Sequence, residues 1–391
     1  MKKTILSFIL CILCANNFLG ISQEQNDSIY RFNHGPYLQG LTTTGVYIYF
    51  TTSQNGFSWV EMRLKGSEEV NRIVTIDNGL IEANNTGNTI QLKELQPDTK
   101  YEYRLSSVPI KQFRLSQNIY GDTIRTPWYT FRTLDPNATS CSFITTSDIH
   151  DDAEKYKKLL SYMPLEKADM VFLLGDILSH FSRKDQPYTS FIDVSVDAFA
   201  KEKPFVLVRG NHDTRGALAR TYPEYIYRPN GHFYGTYQLG DTYIVLLDTG
   251  EDKPDNHRDY SGITAFEEYR AEQLEWLKKI MQTKEFKKAK RRIVLAHIPP
   301  IARGESTRIS AHTSDELYRT YIPVLNKGKI DLMISGHTHR FMLFEPTKET
   351  AYNFPILVND NKSISYIHAG KNGISVKTVN DAGEVTLEKV F

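Results

Sequence analysis

Residues 142–150 read SFITTSDIH, a run of strand-forming residues that ends in an aspartate and a histidine, Asp148 and His150. Four later apolar runs also end in polar residues, namely Gly175-Asp176, Gly210-Asn211-His212-Asp213, His297, and Gly336-His337-Thr338-His339. In open α/β sheets, ligands bind at the carboxyl ends of the strands. The five motifs are therefore expected to converge on one site.

Beyond residue 138 the chain alternates strand-like and helix-like stretches. Buried-strand patterns occur at 142–146, 170–174, 204–208, 243–247, 293–296 and 332–335. The clearest helical pattern between them is 266–281, where Leu274, Leu277 and Ile280 recur at helical spacing. This alternation predicts an α/β domain with a mixed sheet over residues 139–391.

The region before this domain has a different pattern. Val46, Ile48 and Phe50 alternate with tyrosines, which indicates a strand with one buried face. Turn sequences separate several further short strands. We predict an all-β sandwich over residues 28–134, without a catalytic cluster of its own.

The composition is that of an ordinary globular protein of two or three domains. Hydrophobic residues make up 40% of the 391 residues and charged residues 24%, which excludes a disulfide mini-protein and a disordered chain. The 47 Lys and Arg almost balance the 46 Asp and Glu. The charge therefore gives no support for a nucleic-acid-binding module, and no run of residues is apolar enough to predict a transmembrane segment.

The first residues have the pattern of a secretory signal peptide. Lys2 and Lys3 precede a short apolar run at 5–13. We place the signal peptide at residues 1–22, with cleavage before Gln23, and expect an exported protein, either periplasmic or secreted.

The cysteines leave one alternative for the leader. Cys11 and Cys14 each follow a leucine, a poor context for lipoprotein processing, so a lipid anchor is the less favoured interpretation. Removal of residues 1–22 leaves Cys141 alone, and one thiol cannot form an intrachain disulfide. The mature chain is expected to rely on its core and on bound metal.

The five strand-end motifs together supply two aspartates, one asparagine and four ligand-type histidines, without cysteine. Imidazole and carboxylate ligands together suit Zn, Fe or Mn rather than Mg or Ca. Seven side chains are too many for one tetrahedral ion, whereas two ions that share a carboxylate would use them all. Taken singly, Asp148 or Asn211 could cap a helix and His297 could be a core histidine.

The order of these motifs resembles the calcineurin-like metallophosphoesterase family over about residues 140–391. The resemblance implies an αββα sandwich of mixed sheets with a dinuclear centre. It also implies one metal ion held by Asp148, His150, Asp176 and His339, and a second held by Asp176, Asn211, His297 and His337. His212 would then stabilise or protonate the reacting phosphate, and Asp213 would orient His212 from behind.

The N-terminal region is similar to the fibronectin-III-like domain that precedes the catalytic domain in purple acid phosphatases. The similarity lies at Gly35-Pro36-Tyr37-Leu38-Gln39, at the segment 95–103, and at Phe131-Arg132-Thr133. One departure concerns the metal ligands: Ser179 stands where those enzymes have a ligand tyrosine, and His150 stands where they lack a histidine. The resemblance therefore implies a site without the tyrosinate-to-iron absorption.

These observations predict a metal-dependent phosphohydrolase, in which a water between two cations ionises near neutral pH and attacks phosphorus. A phosphomonoesterase is the leading interpretation, and a phosphodiesterase on nucleotide or other diesters is the alternative. A third possibility is a non-enzymatic surface binding protein stabilised by metal. The oligomeric state stays open.

A second set of residues stands near the motifs and could contact the phosphate ester. For all of them except Asn211, a solvated surface position is the favoured interpretation. The set comprises Asn211, Arg215, His180, His257 and Arg303.

Overall fold

The computed structural model describes residues 29–301 and 311–391. The predicted signal peptide and Arg303 lie outside the described residues. Within the described part, a β-rich region comes first, and an α/β domain follows from Cys141 onward.

The β-rich region is built around one long strand. Its strands are β1 (Phe32–Gln39), β2 (Val46–Leu64), β3 (Asn71–Ile73), β4 (Ile76–Asp77), β5 (Leu80–Ile81), β6 (Asn85–Leu92), β7 (Lys100–Gln112), β8 (Ile119–Tyr120), β9 (Ile124–Arg125) and β10 (Tyr129–Arg132). The first half of β2 pairs with β1 and β6, and its second half pairs with β3 and β7. Because β2 takes part in both groups of strands, they enclose one apolar core.

Alternate residues of β2 lie on opposite faces of the strand, and both faces are covered by other parts of the protein. Val46, Ile48 and Phe50 point into the core of the β-rich region, as predicted. Of the intervening tyrosines, Tyr49 is buried, and Tyr47 is partly covered because it stacks on Tyr227 of the α/β domain at a ring distance of 4.8 Å. The strand therefore packs against its own domain on one face and the α/β domain on the other.

The α/β domain continues this numbering. Its strands are β11 (Cys141–Thr146), β12 (Met170–Leu173), β13 (Phe205–Leu207), β14 (Gly235–Leu239), β15 (Thr242–Leu247), β16 (Arg291–Ala296), β17 (Leu332–Ser335), β18 (Met342–Phe344), β19 (Ile356–Val358), β20 (Ser363–Gly370), β21 (Gly373–Asn380) and β22 (Val385–Val390). Its helices are α1 (Ala153–Ser161), α2 (Asp193–Ser195), α3 (Phe266–Ile280), α4 (Lys284–Lys288), α5 (Ala311–Thr320) and α6 (Ile322–Lys327).

These strands form two mixed sheets rather than one. The first has the order β13-β12-β11-β20-β21-β22, and the second has the order β14-β15-β16-β17-β19-β18. Their inner faces share a core to which Phe143 and Phe172 of the first sheet and Ile244 and Leu295 of the second contribute. The single mixed sheet predicted from the strand pattern is wrong, whereas the two-sheet sandwich implied by the resemblance is found.

The β-rich region packs on the helical layer outside the first sheet. His34 stacks on Tyr188 with 4.0 Å between the ring centres, and its Nδ1 lies 3.0 Å from Oδ2 of Asp193. The hydroxyl of Tyr37 donates to the carbonyl of Tyr225 at 3.0 Å. Within the described residues, no helix has the length and apolar character needed to cross a bilayer.

Candidate metal centre

The carboxyl ends of strands from both sheets meet at one site. Asp148 and His150 follow β11, Asp176 follows β12, and Asn211 follows β13. From the second sheet, His297 follows β16, and His337 and His339 follow β17. The structure thus brings together all of the ligand-type residues predicted from sequence.

Several of these residues have a backbone conformation that non-glycine residues rarely adopt. The φ angles are 56° at Asp148, 51° at His150, 52° at Asp176, 74° at His337 and 54° at His339. Left-handed conformations of this kind are uncommon outside glycine and concentrate at functional sites, where the surrounding structure compensates their energy.

Two glycines allow the close approach of the loops that carry the ligands. At Gly175, where φ is 82°, an added Cβ would lie 2.6 Å from Nδ1 of His297. At Gly210, an added Cβ would collide with the amide nitrogen of Asp176. Any side chain at either position would displace the loops that carry the ligand-type residues.

The side chains form two groups. Within each group, the atoms that could bind a metal all lie within 4.8 Å of one another. The first comprises Asp148, His150 and His339, and the second comprises Asp176, His297 and His337. Asp176 stands between the groups, since its Oδ2 lies 3.2 Å from Nε2 of His297 and 3.9 Å from Nε2 of His150.

Asn211 belongs to the second group. Its Oδ1 lies 3.1 Å from Nε2 of His297 and 2.9 Å from Nδ1 of His337. The other ring nitrogen of His297 donates to the carbonyl of Leu174 at 2.7 Å, which directs Nε2 toward Asp176. A hydrogen bond of this type is how proteins orient a histidine that binds metal.

This donor set fits two cations. Oδ1 of Asp148 is buried and lies 3.3 Å from Nε2 of His339 and 3.9 Å from Nε2 of His150. Nε2 of His150 and Nε2 of His339 face each other at 3.1 Å, and each offers a lone pair to a cation when the proton of the neutral ring is on Nδ1. A cation in each group would satisfy these atoms, and the mixture of imidazole and carboxylate suits Zn, Fe or Mn.

The electrostatics of the site favour bound positive charge. Burial alone would raise the pKa of Asp176, but His297, His212 and His337 hold it well below its usual range. Burial lowers the pKa of His297, yet the negative charges of Asp176 and Asp148 raise it to about 10. Burial and the charge of His297 lower the pKa of His337 to about 4. Metal ligation requires ionised carboxylates and neutral rings, so a cation bound here would take the place of the proton on His297.

His212 lies beside this site and is held by backbone contacts. Its amide donates to Oδ1 of Asp176 at 2.8 Å, and its Nδ1 donates to the carbonyl of Ser179 at 2.8 Å. Because a carbonyl can only accept, Nδ1 carries a proton. Nε2, on the opposite edge of the ring from Nδ1, lies 3.1 Å from Nη1 of Arg215.

The predicted role of Asp213 in orienting His212 is wrong. The carboxylate of Asp213 accepts hydrogen bonds from the amides of Asp176, Gly210 and Leu178, at 2.9, 2.8 and 3.1 Å. Burial and the charge of Asp176 raise the pKa of Asp213 to about 7. Asp213 therefore ties two ligand-bearing loops together, and the contact to His212 comes from Ser179.

The structure places Arg215, one of the substrate candidates, against His212. Its guanidinium makes a paired contact with Glu251, at 3.0 Å from Nε to Oε1 and 2.8 Å from Nη2 to Oε2. The hydroxyl of Tyr260 also donates to Glu251 at 2.9 Å. Sequence analysis missed Glu251, although it follows the apolar run at 243–247 as the other motifs follow theirs.

The remaining substrate candidates have local contacts. The side chain of His180 is exposed, and its carbonyl accepts from Gln186. Nδ1 of His257 accepts from the amide of Asp259 at 3.3 Å. Neither ring contacts the ligand-type residues in the contacts that the structure describes.

Comparison with known proteins identifies the family. Residues 142–341, about half of the chain, match the sequence profile of the calcineurin-like phosphoesterases. The chain belongs to this family. The match spans all of the strand-end motifs, from Asp148 to His339, so the geometry above is that of a calcineurin-like phosphoesterase site.

The curated relatives of this phosphoesterase include plant enzymes. Purple acid phosphatase 18 of Arabidopsis thaliana is 22% identical over 267 residues, which cover 63% of this chain and 50% of that protein. Purple acid phosphatase 5 of Arabidopsis thaliana is 24% identical over 305 residues, which cover 72% of this chain and 62% of that protein. The chain thus spans between half and about two thirds of the length of these relatives.

Two solved structures share the fold. The purple acid phosphatase PPD1 from seeds of yellow lupin (Lupinus luteus) superposes with a TM-score of 0.65 at 15% identity, covering 90% of this chain and 73% of that one. PhoD superposes with a TM-score of 0.59 at 13% identity, covering 91% of this chain and 92% of that one. Both alignments extend over the β-rich region as well as the phosphoesterase domain, because each covers at least nine tenths of this chain.

Proposed function

We propose that this chain is a dinuclear metal-dependent phosphohydrolase that acts on phosphomonoesters. The observation that carries the proposal is the position of Asp176, whose carboxylate stands between the two ligand groups and also accepts the amide of His212 at 2.8 Å. One side chain thus contacts both candidate metal sites and the proposed proton donor, His212.

The seven ligand-type residues would hold the cations as predicted, with Asp176 shared by both. When bound, two cations supply an activated water and positive charge for the phosphoryl oxygens. His212 contributes a hydrogen bond or a proton to the departing oxygen. Arg215, held by Glu251, forms the wall of the site next to His212. Zn, Fe and Mn are the metals that we propose.

The choice of a monoester rests on similarity to purple acid phosphatases in sequence and in the order of the two domains. One observation favours a phosphodiesterase instead. The charges of Arg215 and Lys253 are balanced by Glu251 and Asp252, which lie at 2.8 to 3.1 Å from them. This cluster offers no net positive charge for the second negative charge of a monoester dianion, so the diesterase is the second candidate.

Two further assignments remain proposals about the chain outside the catalytic site. We propose that the β-rich region over 28–134 is a fibronectin-III-like domain, for which the strand pairing around β2 is the support. We also propose that residues 1–22 are a signal peptide and that the protein is exported, to the periplasm or beyond the cell.

The test compares an aryl phosphomonoester with the matching diester. The mature protein is reconstituted separately with Mn, Zn or Fe, and His212→Ala serves as the variant. Faster turnover of the monoester, reduced by about a hundredfold in His212→Ala, is the expected result. Preference for the diester would establish the second candidate. Two bound metal ions without turnover of either ester would support the third interpretation, a metal-stabilised binding protein.

A further inference from the structure

Asp151, the residue after His150, has contacts that metal binding does not explain. It has a left-handed backbone with φ of 65°. Its Oδ2 accepts from the amide of Ser179 at 2.9 Å. Its Oδ1 accepts from Nε2 of Gln186 and from the hydroxyl of Ser190, both at 2.8 Å. The carboxylate of Asp151 therefore points toward the segment 179–190.

Gln186 closes this segment into a loop. Its side chain is buried, and its Nε2 also donates to the carbonyl of His180 at 2.8 Å. Its Oε1 accepts from the amide of Ser182 at 3.0 Å. Asp151 and Gln186 together thus hold both ends of the stretch from Ser179 to Gln186 by hydrogen bonds to backbone groups.

The same loop carries the groups that hold His212 and Arg215. The carbonyl of Ser179 accepts Nδ1–H of His212 at 2.8 Å. Two residues further along, the amide of Phe181 donates to the carbonyl of Arg215 at 2.7 Å. Asp151 contacts the amide of Ser179, so it acts on His212 through one residue.

We propose that Asp151 is a positioning residue, which holds Ser179 so that its carbonyl keeps the proton of His212 on Nδ1 and directs Nε2 to the leaving group. This proposal rests on the proposed function of His212. In the hydrolysis, water forms the new P–O bond and releases a proton to solvent, and the P–O bond to the leaving group breaks. Nε2 of His212 takes up a proton from solvent and passes it to the leaving oxygen, while Nδ1–H remains hydrogen-bonded to the carbonyl of Ser179.

The variant Asp151→Asn tests this chain of contacts. Asparagine has one acceptor oxygen and one donor amide, so it cannot accept from both Ser179 and Gln186. Asp152→Asn is the matched control, because Asp152 caps α1 by accepting the amide of Lys155 at 2.9 Å, and asparagine caps helices equally well.

The kinetic readout is the dependence of kcat on the leaving group. A proton donor matters most when the leaving group is a poor one. Asp151→Asn is therefore expected to lower kcat about tenfold or more for a phenyl or alkyl phosphate and only about two- to threefold for a nitrophenyl phosphate. KM and the content of two metal ions are expected to stay unchanged. An equal loss on all esters would indicate a merely structural role and would overturn the proposal.

A second readout does not need turnover. In zinc-loaded protein, the ¹⁵N resonances of His212 are expected to show a proton on Nδ1 in the parent chain and a mixture of tautomers in Asp151→Asn. Unchanged resonances would contradict the proposal. If the parent chain hydrolyses no ester, the proposed function fails, yet the resonances still decide whether Asp151 positions the ring. If Asp151→Asn does not fold, Gln186→Ala removes the partner of Oδ1 and is expected to shift both readouts in the same direction.

Discussion

Nε2 of His297 lies 3.2 Å from Oδ2 of Asp176, and this contact joins the two sheets of the phosphoesterase domain across their carboxyl ends. Asp176 follows β12 of the first sheet, and His297 follows β16 of the second. Both side chains are buried, so the negative charge of the Asp176 carboxylate is poorly screened by solvent. A bound cation or a proton on His297 is needed to balance that charge. A cation bound at this pair would therefore add a link between the two sheets, which already share an apolar core.

Asp176→Asn is expected to lose both metal ions and at least a hundredfold of turnover, because one amide oxygen cannot replace a shared carboxylate. Metal content by plasma mass spectrometry and kcat with an aryl phosphate check this expectation. Asp197→Asn is the control, since the side chain of Asp197 is 86% exposed. Two metal ions and full activity in Asp176→Asn would refute its assignment as the shared ligand.

The iron-loaded protein is expected to lack an intense visible band. Ser179 cannot supply a phenolate, and its carbonyl is already engaged with His212. The absorption spectrum of the iron form, recorded before and after reduction, tests this. An intense band that disappears on reduction would show that a tyrosinate binds the metal.

Glu251→Gln is expected to shift substrate preference toward the monoester. The change removes one negative charge from the cluster that neutralises Arg215. The kcat/KM for the monoester dianion should therefore rise by about three- to tenfold relative to the kcat/KM for the diester monoanion. Glu267→Gln, which alters an exposed partner of His312, is the control. An unchanged ratio would mean that the cluster does not face the substrate.

Tyr37 is expected to hold the β-rich region onto the phosphoesterase domain. Its ring stacks on Tyr49 and Phe205, and its hydroxyl donates to the carbonyl of Tyr225. Tyr37→Ala should lower the free energy of unfolding by about 3–5 kcal/mol. Tyr37→Phe should lower it by about 1–2 kcal/mol, because the carbonyl loses its partner.

Urea unfolding at neutral pH measures both values. Tyr120→Ala is the control, since Tyr120 is half exposed at the surface. A change as small as that of the control in Tyr37→Ala would contradict the proposed packing role.

Protonation of Glu61 in acid is expected to lower the stability of the β-rich region. Burial alone would raise its pKa, but hydrogen bonds from Arg104, Ser106 and Trp59 lower the pKa from 4.5 to about 2. A carboxylate with a lowered pKa in the folded state stabilises the fold above about pH 4.5, and that stabilisation is lost as the pH falls through about 2. Unfolding curves recorded between these pH values measure the loss.

The variant Glu61→Gln separates this carboxylate from the others. It is expected to be less stable than the parent at neutral pH and to show a weaker pH dependence between about pH 4.5 and 2. Glu68→Gln, whose side chain is fully exposed, is the control. The same pH dependence in Glu61→Gln and in the parent would exclude Glu61 as the cause.

The ligand-type residues could be predicted from sequence because their side-chain type and their place after a strand carry the information. The roles of Ser179 and Asp213 could not be predicted in this way. Both roles depend on backbone groups. The carbonyl of Ser179 accepts from His212, and the carboxylate of Asp213 accepts from backbone amides such as that of Asp176. Backbone groups are the same in every residue, so sequence shows nothing of them until the loops are placed.

The division into two sheets was also beyond the strand pattern. The run at 243–247 resembles the run at 142–146 in length and burial, yet β15 and β11 belong to different sheets. Strand membership depends on pairing between distant segments, and periodicity reports only which residues are buried. Glu251, which follows the end of β15 by four residues, was missed although its place after a buried strand was visible in the sequence.

The central claim is that one carboxylate links two cations, and anomalous diffraction from crystals loaded with Zn or Mn tests it most directly. The account predicts two peaks about 3.5–4 Å apart, with the carboxylate of Asp176 between them and His212 outside both coordination shells. A single peak, or two peaks separated by more than about 6 Å, would contradict a shared carboxylate and with it the proposed dinuclear phosphohydrolase.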